Sequence, residues 1–154
     1  INVEGVAEGS VERIDFRTTL IRRFDKAPIF VPNSVLSDSE IINFSEMPFR
    51  RIRFHVGLIY QTTPEKILAI RKDVEKYIEK NKNLVDAKDQ PSTIRVTNFN
   101  DSSIDMLVNC FTKSTQWHDF CIAREELLFE IIEIVKRNGS DFAYPTQTIH
   151  LEKD

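Results

Sequence analysis

The 154-residue chain is 41% hydrophobic and 29% charged, and its formal net charge at pH 7 is −3. This balance is typical of one medium-sized or two small folded domains, and it excludes an intrinsically disordered chain. The pI is near 5.7, so the chain also lacks the excess of basic residues that nucleic-acid-binding domains usually carry.

Short β-strands are predicted in the first third of the chain. Side chains alternate between two faces over Asp15–Arg23, and a short strand follows at Ile29–Val31. Pro32 ends this strand because proline cannot donate to a β-ladder. Another short strand is predicted at Ile41–Phe44. Short strands at such close intervals predict a small β-barrel or sandwich over residues 1–46.

From residue 47 the pattern changes to longer strands that alternate with helices. Strands are predicted at Arg51–Tyr60, Ile94–Phe99 and Ile104–Thr112, and helices from about Thr62 and over Trp117–Asn138. A capping box of Thr62 and Glu65 should start the first helix, and Gly139 should end the second one in the left-handed conformation. With a last strand at Thr146–Leu151, the order β-α-β-β-α-β predicts a ferredoxin-like fold.

Each predicted helix carries an apolar stripe that should pack on the sheet. The stripe of the first helix is Ile67, Ile70, Val74 and Ile78, and that of the second is Phe120, Cys121, Leu128, Ile131, Ile132 and Val135. Cys110 lies on an apolar strand face and Cys121 on the second stripe, so both are predicted to be core thiols rather than nucleophiles. Two cysteines without a disulfide framework are typical of a reducing compartment.

Motifs for catalysis, metal binding and phosphate binding are missing. The four glycines form no phosphate-cradling loop, and the three histidines, His55, His118 and His150, are far apart. The four glutamates at positions 125, 126, 130 and 133 are predicted to form a solvated helix face rather than an acid/base pair. We therefore expect no catalytic residues, no metal and no cofactor, and a soluble enzyme stays only as a third alternative.

Basic side chains occur at alternate positions of the strand that starts at residue 51. Arg51, Arg53 and His55 face away from the apolar side, on which Phe54 lies. RNA-recognition domains share the ferredoxin-like topology and stack bases on strand aromatics. However, Phe54 is on the apolar side, and the third strand lacks the glycine-aromatic RNA-binding motif. Two interpretations stay open: an RNA-binding module, or arginines that pair with acids on an open or interfacial sheet face.

Six segments in chain order resemble motifs of one family. They are Ile1–Glu12, Phe16–Asp25, Ile29–Ser34, Ile41–Ser45, Pro48–Tyr60 and Phe142–Thr148. Together they resemble the soluble C-terminal half of the small-conductance mechanosensitive channel (MscS) family. The family-motif positions are Pro32, Asn33, Asn43, Arg50, Arg51, Tyr144, Pro145 and Gln147. One departure is Asn138–Asp141, where the family often has a Gly-Ile pair.

The resemblance implies an α+β fold in three parts. These are a small all-β, Sm-like domain over 1–46, a ferredoxin-like domain over 47–141, and a strand within 142–154 that joins an intersubunit β-barrel. It also implies a homoheptamer that forms a cytoplasmic vestibule with side portals for ions and small solutes. Arg51, Arg53 and His55 are candidates to line the vestibule or a portal, and no nucleic-acid partner is expected.

The resemblance further implies a channel in the inner membrane that opens under tension on hypoosmotic shock. The chain starts at Ile1 rather than Met, so we expect a piece of a longer protein. It contains no signal peptide and no apolar run of the ~20 residues that span a bilayer. The transmembrane helices are therefore expected to precede Ile1.

Overall fold

The computed structural model describes residues 1–145. The chain divides into two compact units, one over Ile1–Met47 and one from Pro48 onward. We call them unit 1 and unit 2 and describe each by itself. Both contain strands and helices, so the predicted α+β class is confirmed.

Unit 1 consists of two small antiparallel sheets. The first, in the order β2-β1-β6, contains β1 (Asn2–Val3), β2 (Ala7–Glu8) and β6 (Ile41–Ile42). The second, in the order β3-β4-β5, contains β3 (Ser10–Ile14), β4 (Thr18–Arg22) and β5 (Pro28–Pro32). A short helix, α1 (Asn33–Ser37), follows β5, and a 3₁₀ helix follows β6 at Phe44–Glu46. Few apolar residues are buried in unit 1: Val3 is one, and Ala7, Ile21 and Val31 form a small core cluster.

Two strand boundaries of unit 1 differ from prediction. The strand expected over Asp15–Arg23 starts only at Thr18, because residues 15–17 form a turn in which the Asp15 N–H donates to the Thr18 carbonyl (2.8 Å). The strand expected over Ile41–Phe44 ends at Ile42. Here the Asn43 side chain accepts a hydrogen bond from the Ser45 N–H (3.0 Å) and caps the 3₁₀ helix instead.

Unit 2 is a three-stranded antiparallel sheet with two helices. In chain order its elements are β7 (Arg50–Leu58), α2 (Pro64–Lys80), β8 (Thr93–Phe99), β9 (Ile104–Thr112) and α3 (Trp117–Arg137). The sheet order is β7-β9-β8. Because β9 is antiparallel to both neighbours, β7 and β8 are parallel, as in a split βαβ unit. Phe142 bridges Leu58 at the outer edge of β7, and the predicted strand at Thr146–Leu151 lies outside the described residues.

The core of unit 2 lies between one face of the sheet and the two helices. The stripe predicted for α2 is confirmed, since Ile70, Val74 and Ile78 are buried and Ile67 packs against them. The stripe predicted for α3 is wrong in part: Cys121 and Leu128 are exposed and Ile132 is half-buried. The sheet instead buries the following α3 residues: Phe120, Ala123, Leu127, Ile131, Ile134 and Val135.

The two cysteines therefore have different surroundings. Cys110 is buried on β9, as predicted, and burial raises the pKa of its thiol to about 12. The prediction of a core thiol at Cys121 is wrong, because α3 turns this residue away from the sheet.

The helix ends show one wrong prediction and one confirmed prediction. The N-cap of α2 is Thr63, and Pro64 occupies the first turn. The Thr62 hydroxyl instead lies 2.7 Å from the Ser140 hydroxyl, so the predicted capping box from Thr62 does not form. After α3, Gly139 has φ +66°, and its N–H donates to the Lys136 carbonyl (2.9 Å). This is the left-handed helix end that the sequence predicts.

Candidate functional site

The sheet of unit 2 has an open face that is opposite to its helices. Along β7, Ile52, Val56 and Leu58 are buried against the helices, whereas Arg51, Arg53 and His55 are exposed. We call the surface formed by these three residues and their neighbours on β8 and β9 the open face. The structure therefore brings the three predicted basic residues together on one side of a strand.

The strands beside β7 complete the open face. In register, Arg51 lies opposite Phe111, Arg53 opposite Asn109 and His55 opposite Leu107. Leu107 and Phe111 are half-buried, so the face mixes apolar and basic side chains. The face also carries the acidic residue Asp105, which accepts hydrogen bonds from Ser103 (2.7 Å) and from Asn100 (2.5 Å).

The basic side chains of the open face differ in how they are held. The Arg51 Nε donates to the Oδ1 of the buried Asn109 (2.5 Å), which fixes the side chain over β9. Arg95, across Leu107 on β8, forms a salt bridge with Glu75 (2.9 Å). Among the described residues Arg53 and His55 have no hydrogen-bond or salt-bridge partner. The face thus presents unneutralised positive charge to solvent at Arg53.

Sequence reasoning missed Arg95 and Asn109 as members of this face. The alternation of side chains along β8 could have identified Arg95. Ile94 is buried against the helices, so Arg95, the next residue, points to the open face. Asn109 carries no such signal, since its contact with Arg51 depends on how β7 and β9 are paired.

Arg50 lies on the other side of β7, beside the start of α3. Its guanidinium carbon is 4.9 Å from the ring centroid of Trp117 and 5.2 Å from that of Phe120. Its Nη1 donates to the Thr115 carbonyl (3.0 Å). These cation–π and hydrogen-bond contacts join β7 to the N-terminal end of α3, which gives this motif position a structural explanation.

The motif pair Pro32–Asn33 lies where β5 ends. The Asn33 Nδ2 donates to the carbonyls of Asp15 (2.9 Å) and Phe16 (3.3 Å), and its Oδ1 accepts from the Thr19 hydroxyl (2.8 Å). One asparagine therefore ties the turn at residues 15–17 to the end of β5.

Near the end of the described chain, Tyr144 and Pro145 line a shallow cleft with Gly57 and Ser103. Gln147 lies outside the described residues.

The acidic residues of α3 do not converge on a catalytic arrangement. Glu125, Glu126 and Glu133 are exposed, and Glu130 is half-buried. Burial, with a further contribution from Glu126 and Glu130, raises the pKa of the nearby Tyr77 hydroxyl.

Within residues 1–145 no three His, Cys, Asp or Glu side chains are placed to hold a metal ion. None of the helices in this part of the chain has the length and apolar character needed to cross a bilayer.

Two family models match the chain in sequence order. The model described as "Mechanosensitive ion channel, beta-domain" matches residues 1–46, and the model described as "Mechanosensitive ion channel MscS, C-terminal" matches residues 52–142. These descriptions name no RNA-binding protein, so the RNA-binding alternative gains no support from them.

Individual proteins show the same likeness. The chain is 37% identical over 145 residues to the low conductance mechanosensitive channel YnaI of Escherichia coli, which covers 94% of the chain and 41% of YnaI. It is 34% identical over 154 residues to the small-conductance mechanosensitive channel MscMJ of Methanocaldococcus jannaschii, which covers 100% of the chain and 43% of MscMJ. The chain thus spans less than half the length of these two relatives.

A solved structure supports the same assignment. The crystal structure of Helicobacter pylori MscS in its closed state matches with a TM-score of 0.76 at 27% identity, over 98% of this chain and 56% of that one. The resemblance seen in the sequence motifs is confirmed. The chain belongs to the small-conductance mechanosensitive channel (MscS) family.

Proposed function

We propose that the chain is the cytoplasmic vestibule region of a channel that opens under membrane tension and releases ions and small solutes on hypoosmotic shock. The observation that carries the proposal is the match of two family models, in order, to residues 1–46 and 52–142. In this proposal the chain has no enzymatic role. Its N-terminal neighbours in the full-length protein are the helices that anchor it in the inner membrane.

The proposed assembly is a ring of seven copies, a number implied by the family resemblance. Residues 1–46 would form the Sm-like β domain and residues 47–141 the ferredoxin-like domain. Residues 142–154 would contribute a strand to an intersubunit barrel. Exposed aromatic side chains such as Phe16 and Phe30 support self-association, because such groups are typical of interfaces.

The open face would line the path of the permeating ions. Arg51, Arg53 and His55 are exposed on it, and Arg53 is unneutralised by any described residue. Positive charge on the wall of a vestibule raises the local anion concentration, within a Debye length of about 8–10 Å at physiological salt. The family-motif positions Pro32, Asn33, Asn43, Arg50, Tyr144, Pro145 and Gln147 would be structural rather than permeant-contacting.

The test is a charge reversal, Arg53→Glu, in the full-length channel. A unit charge about 9 Å from an ion changes the energy of that ion by about 0.5 kcal/mol in water before screening. Reversing the sign of the charge changes the energy of the ion by twice this amount. Screening over about one Debye length reduces this change to about 0.3 kcal/mol per ion. The change is unfavourable for anions and favourable for cations, so we expect the anion/cation permeability ratio, from single-channel reversal potentials, to fall about threefold. The matched control is Lys72→Glu, the same charge change at an exposed position of α2, away from the open face.

Three outcomes are informative. A shift in Arg53→Glu but not in Lys72→Glu supports the placement. Equal shifts would mean that net charge matters and the open face does not. Absence of tension-gated currents from the unmodified full-length protein would refute the proposed function itself.

A further inference from the structure

Strand β3 of unit 1 is exposed along its whole length although it carries apolar residues. Its pairing with β4 places Val11 opposite Ile21 and Ile14 opposite Thr19, and both β4 residues are buried. Val11 and Ile14 therefore point to the same side of the sheet as the core, yet Ile14 is 73% exposed. The apolar side of the sheet thus extends beyond the part that unit 1 itself covers.

The turn that follows β3 presents a still more exposed aromatic side chain. Phe16 is 96% exposed. Its backbone is nevertheless held, because the Asn33 side chain donates to the carbonyls of Asp15 and Phe16, and the Asn33 N–H donates to the Arg17 carbonyl (2.9 Å). An aromatic side chain on a fixed turn loses little conformational entropy on binding, which is typical of an interface anchor.

The charges of unit 1 show what kind of surface this turn fits. Its salt bridges pair Arg13 with Asp15, Arg22 with Glu12 and Arg23 with Asp25. Among the described residues Arg17, next to Phe16, forms no salt bridge. Five exposed acids of the same unit also form none: Glu4, Glu8, Asp38, Glu40 and Glu46. A second copy of unit 1 therefore offers the carboxylates that Arg17 lacks.

We propose that Phe16 and Arg17, positioned by Asn33, form a contact with unit 1 of a second copy of this chain, in which Phe16 is buried and Arg17 pairs with a carboxylate. Asn33 acts here as a positioning residue, because it touches only the turn of its own copy. The inference rests on the self-assembly in the proposed function and adds the residues that make the contact.

The first test places a photo-crosslinking phenylalanine analogue at position 16 of the full-length channel in membranes. We expect an adduct of twice the subunit mass, in which mass spectrometry finds residue 16 joined to a peptide from residues 1–47. The matched control is the analogue at Phe24, which is 71% exposed in the same unit and is not bound by Asn33. Adducts of position 16 with lipid, or within its own chain, would overturn the proposal.

The second test separates positioning from general stability. Asn33→Ala should lower the adduct yield at position 16 severalfold and leave the yield at position 24 unchanged. Asn33→Asp keeps the size and the acceptor for Thr19 but cannot donate to the two carbonyls, so it should behave as Asn33→Ala does. Equal loss at both positions, or no loss at either, would show that Asn33 does not position the turn.

A charge swap identifies the partner. Arg17→Glu should reduce the yield at position 16 severalfold, and replacement of one of the five unpaired acids by Arg should restore it. If none of the five restores it, the pairing with a carboxylate of unit 1 is wrong. An intact oligomer with normal currents but no adduct refutes this inference alone, whereas a full-length protein without oligomer or currents refutes the proposed function as well.

Discussion

Leu127 and Leu128 are adjacent residues of α3 whose roles the sequence and the structure assign differently. The sequence pattern places Leu128 in the core-facing stripe. In the structure Leu127 is 0% exposed and Leu128 is 36% exposed. Substituting each residue by alanine removes the same atoms from neighbouring positions of one helix. The pair therefore tests which arc of α3 packs on the sheet.

The expected costs follow from burial. Leu127→Ala removes fully buried atoms and leaves a cavity between α3 and the sheet, which should lower the free energy of unfolding by about 2–5 kcal/mol. Leu128→Ala removes three carbons that are about two-thirds buried at the surface. At about 0.8 kcal/mol per buried carbon the cost is at most about 1.5 kcal/mol, and solvent can fill the space. The first loss is large against a typical stability of about 5–15 kcal/mol.

The assay is urea unfolding of the chain, followed by far-UV circular dichroism at one fixed protein concentration. Both variants should keep the m-value and differ in midpoint, with Leu127→Ala well below Leu128→Ala. A dilution series excludes a contribution from self-association, which would make the midpoint depend on concentration. Equal costs, or a larger cost for Leu128→Ala, would refute the packing of α3 described above.

Three other predictions concern single side chains. In the native chain a thiol reagent should label Cys121, which is exposed, whereas Cys110 should react only on unfolding, because it is buried and its thiol pKa is raised to about 12. A hydrogen bond from Asn138 lowers the pKa of the Asp73 carboxyl, and the hydrogen bond and positive charge of Arg137 lower it further. The ionised carboxylate therefore stabilises the fold above the pKa that Asp73 has in the unfolded chain. This stability is lost as the pH falls through the pKa of Asp73 in the folded chain. Asp73→Asn should therefore flatten the pH dependence of the unfolding midpoint in that acidic range, and an unchanged profile would contradict the assignment. Gly139→Ala should lower the free energy of unfolding, measured with urea, by about 1–2 kcal/mol, because Gly139 has φ +66°. Gly139→Asn should lower it less, since asparagine adopts this left-handed conformation more readily than alanine.

Local signals were sufficient for much of unit 2. The predicted strand at Ile104–Thr112 has the bounds that the structure gives, because a polar turn precedes it and its apolar residues alternate without interruption. Helix α2 is predicted from a single apolar stripe with mostly charged residues on the opposite side, and Leu68, outside the stripe, is exposed. Where only one arc is apolar, the sequence alone fixes the side that packs.

The same reasoning failed where the sequence offered two solutions. Helix α3 is apolar around more than one arc, so Cys121 and Leu128 fit a stripe as well as Leu127 does, and only the sheet decides between them. The turn at residues 15–17 was missed for a different reason. The alternation continues through it, and the hydrogen bonds that hold it come from Asn33, 17 and 18 residues further along the chain.

Two asparagines explain why the proposed functional groups of the two units are fixed, although the groups themselves are on the surface. Asn109 is buried and accepts from Arg51 on the open face, and Asn33 donates to the turn that carries Phe16. A long or exposed side chain keeps a defined position only when a neighbouring group offsets the entropy of ordering it. An amide can do this in either direction, because it has both donors and an acceptor. No residue within 1–145 supports Arg53 in this way, so its charge acts through its location on the open face rather than through a fixed geometry.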